Sequence, residues 1–297
     1  MRISTRQTYD ALVNNMTNGM AKLLKSQEMF ASGKKINKPS DDPVGARQVM
    51  DYKDMMSGMT QYQRNIGYAE SYLNEAESVL SGVSDTLAKI KEIAINEATG
   101  TASAQTRASA AIEVDQLYQQ LLGVGNTRIG DKYIFAGFKN NNPAFSINGA
   151  PPPAVNYDGD TNEAEIEVGI GRKMAYGLTG DDIFKNTTDI YQVVSDLKTA
   201  LEGNNATGIQ NSMNDLDSGV VQVSNNISKI GGRLNRLTAE TENISSFKLE
   251  TQKLVSNIED ADFAKLVSDF AQQKISLEAL QQSTGKVLEL NIFNYIR

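Results

Sequence analysis

The stretch YKDMMSGMTQYQRNIGYAESYLNEAESVLSGVSDTLAKI, residues 52–90, decides the fold. Seven-residue steps carry Tyr52, Met59, Ile66, Leu73, Leu80 and Leu87. Three residues after each stand Met55, Tyr62, Ala69, Ala76, Val83 and Ile90. Filling both seam positions through six heptads predicts one long helix that packs on a partner through a narrow apolar stripe. At 1.5 Å per residue the run spans roughly 60 Å. Upstream, Asp42 suits an N-cap and Pro43 a first helical residue, with Ser40 and Asp41 just before.

A partner run lies near the other end. Met213, Val220, Ile227 and Leu234 repeat every seven residues, as do Leu216, Val223, Ile230, Leu237 and Ile244. The pattern weakens at Thr241, Lys248 and Thr251 and resumes at Val255 and Ile258. Two long amphipathic helices from opposite halves of a chain should pack side by side. Shorter helices are expected at about 104–126 (Val114, Leu117, Tyr118, Leu121) and 187–202 (Ile190, Val194, Leu197, Leu201). Between Asp131 and Gly180 helical periodicity vanishes; 133–135 and 166–168 read as strands, punctuated by Pro151-Pro152-Pro153 and many glycines.

The ends carry thinner stripes: Tyr9, Leu12, Met16, Leu23 and Phe30 on one side, Phe263, Leu266, Phe270, Leu277, Leu280 and Val287 on the other. The second is one residue out of phase with the run ending at Ile258, and a slip at 259–262 marks a boundary. Its counterpart is the loop Gly33 to Pro43. The expected fold is mainly α with a small β insertion. The N- and C-terminal halves form a long antiparallel helical bundle or coiled coil, with a β-rich domain at its tip. Residues 1–33 and 263–297 are expected to be terminal assembly helices, 34–130 and 181–262 the long-helix bundle, and 131–180 the β-rich outer domain. Each terminal stripe is too thin to bury itself, so these helices are expected to be disordered in the monomer and to order against neighbouring subunits. The eleven stripe residues named above are the candidate assembly interface.

Composition excludes several classes of function. The 297 residues carry a net charge of −7, a poor match to phosphate backbones or anionic membrane surfaces, so neither nucleic acid nor membrane is an expected partner. With no Cys and no His, there is no disulfide, no Ser-His-Asp or Cys-His pairing, and no nitrogen or thiolate ligand for zinc. No run reaches the ~18 apolar residues of a spanning helix, and residues 3 to 20 lack the apolar core of a signal peptide. Gly169-Ile170-Gly171 lacks the rest of a dinucleotide fingerprint. Asn156 to Glu167 spaces oxygens like a calcium loop but has Thr161 where glycine must turn, so an Asp158-Gly159 turn between strands is preferred. The pairs Glu75/Glu77 and Asp260/Asp262 could suggest glycoside chemistry but sit on or beside helices, as solvated faces or caps would. Met50, Met55, Met56 and Met59 could form an adaptable surface; two of them fill the heptad. No cofactor and no enzymatic activity are expected.

Four motifs resemble a known family. Residues 30–43, FASGKKINKPSDDP, are similar to the N-terminal signature of bacterial flagellins and hook-associated proteins. Residues 87–94, LAKIKEIA, resemble the long helix of flagellin; 227–237, ISKIGGRLNRL, and 258–264, IEDADFA, resemble C-terminal motifs. The likeness covers roughly residues 1–130 and 185–297. Within that superfamily the prolines of residues 38–43, the strand-like 130–137, Tyr157-Asp158-Gly159-Asp160 and the ending LNIFNYI at 290–296 lean to the hook-associated members. The resemblance implies a structural subunit at the hook–filament junction. Its implied partners are neighbouring copies of itself in a ring, the other hook-associated junction protein, flagellin and a cytoplasmic flagellar export chaperone. It implies an extracellular place on the flagellum, reached through the type III apparatus without a cleaved signal peptide. The alternatives are a flagellin-type filament subunit, an extracellular hydrolase on a helical scaffold, and a coiled-coil adhesin or secretion-tip protein.

Overall fold

The computed structural model describes residues 3–149 and 154–293. In chain order the elements are α1 (Ile3–Ser32), α2 (Pro43–Glu97), α3 (Ala104–Gly125), β1 (Arg128–Ile129), β2 (Lys132–Tyr133), β3 (Phe145–Asn148), β4 (Ala154–Tyr157), β5 (Glu165–Gly169), β6 (Arg172–Ala175), α4 (Gly180–Phe184), α5 (Ile190–Glu202), α6 (Ala206–Glu259) and α7 (Phe263–Phe293). The fold is helical with small antiparallel hairpins. The chain forms two compact units: residues 59–245, and residues 1–58 with 246–297.

In the 59–245 unit the heptads are the core. Met59, Ile66, Leu73, Leu80 and Leu87 are buried, as are Ala69, Ala76, Val83 and Ile90. On α6 the residues Leu216, Val223, Ile230, Leu237 and Ile244 are buried, while Met213, Val220, Ile227 and Leu234 are half-buried. Gln63 donates to Ser245 and Lys91 pairs with Asp217, so α2 and α6 run antiparallel. Helix α3 starts at Ser103, whose hydroxyl accepts from the Thr106 amide, and α5 starts at Asp189, which accepts from Gln192. These two helices pack on each other, with the rings of Tyr118 and Tyr191 edge to face at 6.3 Å.

Among the described residues, three two-stranded antiparallel sheets, β1–β2, β3–β4 and β5–β6, follow α3. The expected strand at 133–135 is only partly a strand: β2 ends at Tyr133, and Ile134 and Phe135 are buried without a ladder. Aromatic burial, rather than sheet pairing, holds this region. Phe145 lies against Tyr157, Phe184 and Tyr191 at ring distances of 5.0–5.4 Å. Asn126 clamps Phe145 by accepting from its amide and donating to its carbonyl, both at 2.9 Å. Gly180 must be glycine, because a Cβ there would stand 2.6 Å from the Phe145 ring. The Gly169-Ile170-Gly171 segment is the β5–β6 turn, and Gly171 supplies its positive φ of 66°. The short helix α4 has no counterpart in the expected elements.

In the other unit, α1 and α7 pack antiparallel. The Phe30 ring lies 5.2 Å from Phe263 and 6.2 Å from Phe270, and Ser26 donates to Gln273 at 2.6 Å. The first turns of α2 and the last of α6 belong here. Asp42 caps α2 as expected, its carboxylate accepting from the Val44 and Gly45 amides. The division into units thus falls inside α2 and α6. The breaks in helix fall at 33–42 and 260–262, within the 1–58 and 246–297 unit.

Candidate functional site: the terminal helix pair and its joint

The candidate interface residues divide by exposure. Leu266 and Leu277 are buried, and Leu12, Met16, Leu23, Phe270 and Leu280 are half-buried. Leu277 approaches the backbone of α1: a Cβ on Gly19 would sit 3.3 Å from its Cδ1. Tyr9, Phe30 and Phe263 are exposed. The side chain of Val287 and the residues 294–297 lie outside the described residues. Most of the predicted stripe is therefore occupied within the chain, where α1 meets α7.

A second set of apolar residues remains partly exposed. Val13, Met20 and Leu24 join Tyr9 and Phe30 on α1, and Val267 and Ile275 join Phe263 on α7, all between 41% and 66% exposed. Steps of four, seven and four from Tyr9 to Leu24 keep those side chains within an arc of about 60° at 3.6 residues per turn. That line runs beside the Leu12–Leu23 stripe. Sequence reasoning missed it because it sought one stripe per helix; the spacing of residues 9, 13, 20 and 24 was the available signal. Each terminal helix has one apolar flank satisfied by its partner and one left open. Polar residues, including Asn15, Asn18, Lys22, Asp269 and Gln272, line a groove along the pair.

The two connections meet in a joint. Residues 34 and 260 form an antiparallel bridge. The amides of Lys35 and Ile36 donate to the Glu259 carbonyl at 2.8 and 3.4 Å, and the Ala261 amide donates to the Gly33 carbonyl at 2.9 Å. Gly33 holds a φ of 71°, which suits glycine at the end of α1. The Glu259 carboxylate accepts from Lys34 at 3.0 Å and Lys53 at 2.8 Å. Burial opposes its charge, but the hydrogen bonds from Lys53 and Lys34 outweigh that and keep its pKa below the usual glutamate value. Asp41 accepts from Lys25 and from the amides of Lys38 and Asn37, which together lower its pKa to about 2. Two motifs over 200 residues apart in sequence thus form one structure.

Other candidates are spent on structure. Asp160 accepts from the amides of Phe138 and Asn162, and Asp262 accepts from the Lys265 amide at the start of α7. Among the described residues no cluster of three acidic side chains could hold a metal ion, and no helix is long and apolar enough to cross a membrane. Met59 is buried, whereas Met50 and Met55 are exposed. A concavity of about 750 Å³ lies beside α4 and α6. Gln222 at its edge accepts from Thr187 and Thr188 and donates to the carbonyls of Ile183 and Thr188.

Comparison with known proteins agrees with this architecture. Residues 3–140 match the model of the bacterial flagellin N-terminal helical region, and residues 213–296 that of the C-terminal helical region. The chain is 27% identical to flagellar hook-associated protein 3 of Salmonella typhimurium over 323 aligned positions, covering 100% of both proteins. It is 24% identical to a flagellin of Listeria innocua, covering 85% of this chain and 84% of that one. The solved structure of flagellar hook associated protein-3 from Legionella pneumophila covers 71% of this chain and 98% of its own, with a TM-score of 0.65 and 17% identity. With matches at both ends of the sequence and the same fold, this chain belongs to the bacterial flagellin family.

Proposed function

We propose that the chain is a structural subunit of the bacterial flagellum, a hook-associated junction protein that links the hook to the filament and seeds flagellin assembly. The observation that carries this reading is the end-to-end match with hook-associated protein 3, wider in coverage than the match with flagellin. A filament subunit is the alternative, favoured by the helical regions that both share.

The role is mechanical, and no chemical step is assigned to any residue. In the free chain the α1–α7 pair is loosely held, because few of its apolar side chains are fully buried. Neighbouring copies in a ring cover the exposed line and complete the pair. The other partners are the second junction protein on one side, flagellin on the other, and an export chaperone before secretion. The chaperone would cover the apolar face of α7. The protein works outside the cell on the flagellum.

Polymerisation of the purified chain separates the two readings. A junction subunit gives at most short rings or stacks, and those nucleate added flagellin. Unlimited filaments grown from this chain alone would establish the filament subunit instead.

A further inference from the structure

The joint rests on few interactions for a place where two chain connections cross. Its backbone ladder has three hydrogen bonds, two of which share the Glu259 carbonyl, one of them 3.4 Å long. Lys35 adds an ammonium bond to the Asn257 carbonyl at 2.9 Å. The remaining tie is the Glu259 side chain, 11% exposed, against lysines that are 41% and 46% exposed. That asymmetry matters. A freed surface lysine is rehydrated at little cost, while a shielded carboxylate is tolerated only with its cations in place.

The geometry points to Glu259 as a two-lysine latch that holds the 33–42 connection on the end of α6. Lys34 reaches the carboxylate from that connection and Lys53 from α2, so one anion ties three segments of the chain. The neighbouring acids do not compete for these lysines: Asp260 accepts from Ser256, Asp41 holds Lys25, and Asp262 caps α7. Because α1 leaves the joint at Ser32 and α7 at Phe263, the latch brings the Phe30 and Phe263 rings into contact. It thereby sets the register in which the two terminal helices present their apolar flanks. Removing the charge opens the joint while residues 59–245 stay folded.

Hydrogen exchange on the purified full chain at neutral pH tests this. In the wild type, the amides of Lys35, Ile36 and Ala261 are protected. In Glu259→Gln, of nearly equal size and without charge, they exchange at least tenfold faster, with residues 59–245 unchanged. Lys34→Gln and Lys53→Gln each give a smaller acceleration, because one cation remains. The double lysine variant matches or exceeds Glu259→Gln, because it leaves the carboxylate without a cation. That ordering is not expected of a side chain that merely fills space. Unprotected joint amides in the wild type would overturn the proposal. So would wild-type exchange in Glu259→Gln, a single lysine variant as severe as Glu259→Gln, or equal loss of protection in residues 59–245.

Discussion

Leu24→Asp isolates the uncovered flank of the terminal pair. Leu24 is 53% exposed in the free chain. Full burial of a leucine contributes about 1.5–3 kcal/mol, so covering the open half against a neighbour contributes ~0.8–1.5 kcal/mol per subunit. Aspartate forfeits this and places an unpaired carboxylate in the contact, adding about 1–3 kcal/mol. A loss of ~2–4 kcal/mol per subunit weakens each association step roughly 30- to 1000-fold. The free chain should scarcely notice, since aspartate costs an exposed helix position at most about 0.7 kcal/mol. The assay complements a strain lacking the gene and scores swimming and filaments by electron microscopy, alongside thermal melting of the purified variant. The expected result is loss of swimming and filaments with melting shifted by less than about 5 °C. Full motility, or a collapse of the free protein, would refute the placing of the assembly face.

Further consequences can be measured separately. Leu277→Asp strikes the buried seam of the α1–α7 pair, so it should stop filament growth while residues 59–245 keep their exchange protection. Leu80→Ala cuts into the α2–α6 core and should cost about 2–5 kcal/mol in denaturant unfolding, with Leu24→Ala well below that. Gln222→Ala strips four hydrogen bonds from the segment joining α4 to α5 and should cost ~2–4 kcal/mol. The carboxyls of Asp41 and Glu259 have lowered pKa values, so their contribution is present above the ordinary carboxylate pKa and is lost as pH falls through the folded values. The amide resonances of Asn37 and Lys38, which donate to Asp41, should therefore move as pH falls towards about 2, and those of Lys35 and Ile36 as pH falls below the ordinary glutamate value, before the 59–245 unit unfolds. A joint unchanged until global acid unfolding would contradict this.

How far the sequence alone reached depends on the physics of each element. The long helices were legible because a 3.5-residue apolar repeat admits few other structures, and the slip at 259–262 marked the joint from one side. That residues 33–36 would meet Glu259 was not legible, since backbone pairing between distant segments leaves no periodic trace. Ile134 and Phe135 read as strand because apolar runs look alike whether a ladder or an aromatic cluster buries them. Helix α4 is too short to show a period. Of the methionines, Met59 follows the heptad inward, while Met55 is exposed although it holds a seam position. At the termini the stripe was found but its use was ambiguous. An apolar face can be covered by the chain's own helix or by a neighbour, and only the packed α1–α7 pair shows which residues are left over.

Deleting the gene and imaging the cells by electron microscopy, while assaying the medium for flagellin, tests the junction role. The expected result is intact hooks without filaments, flagellin shed into the medium, and filaments restored by the wild-type gene. Normal filaments on the deleted strain would contradict a junction role.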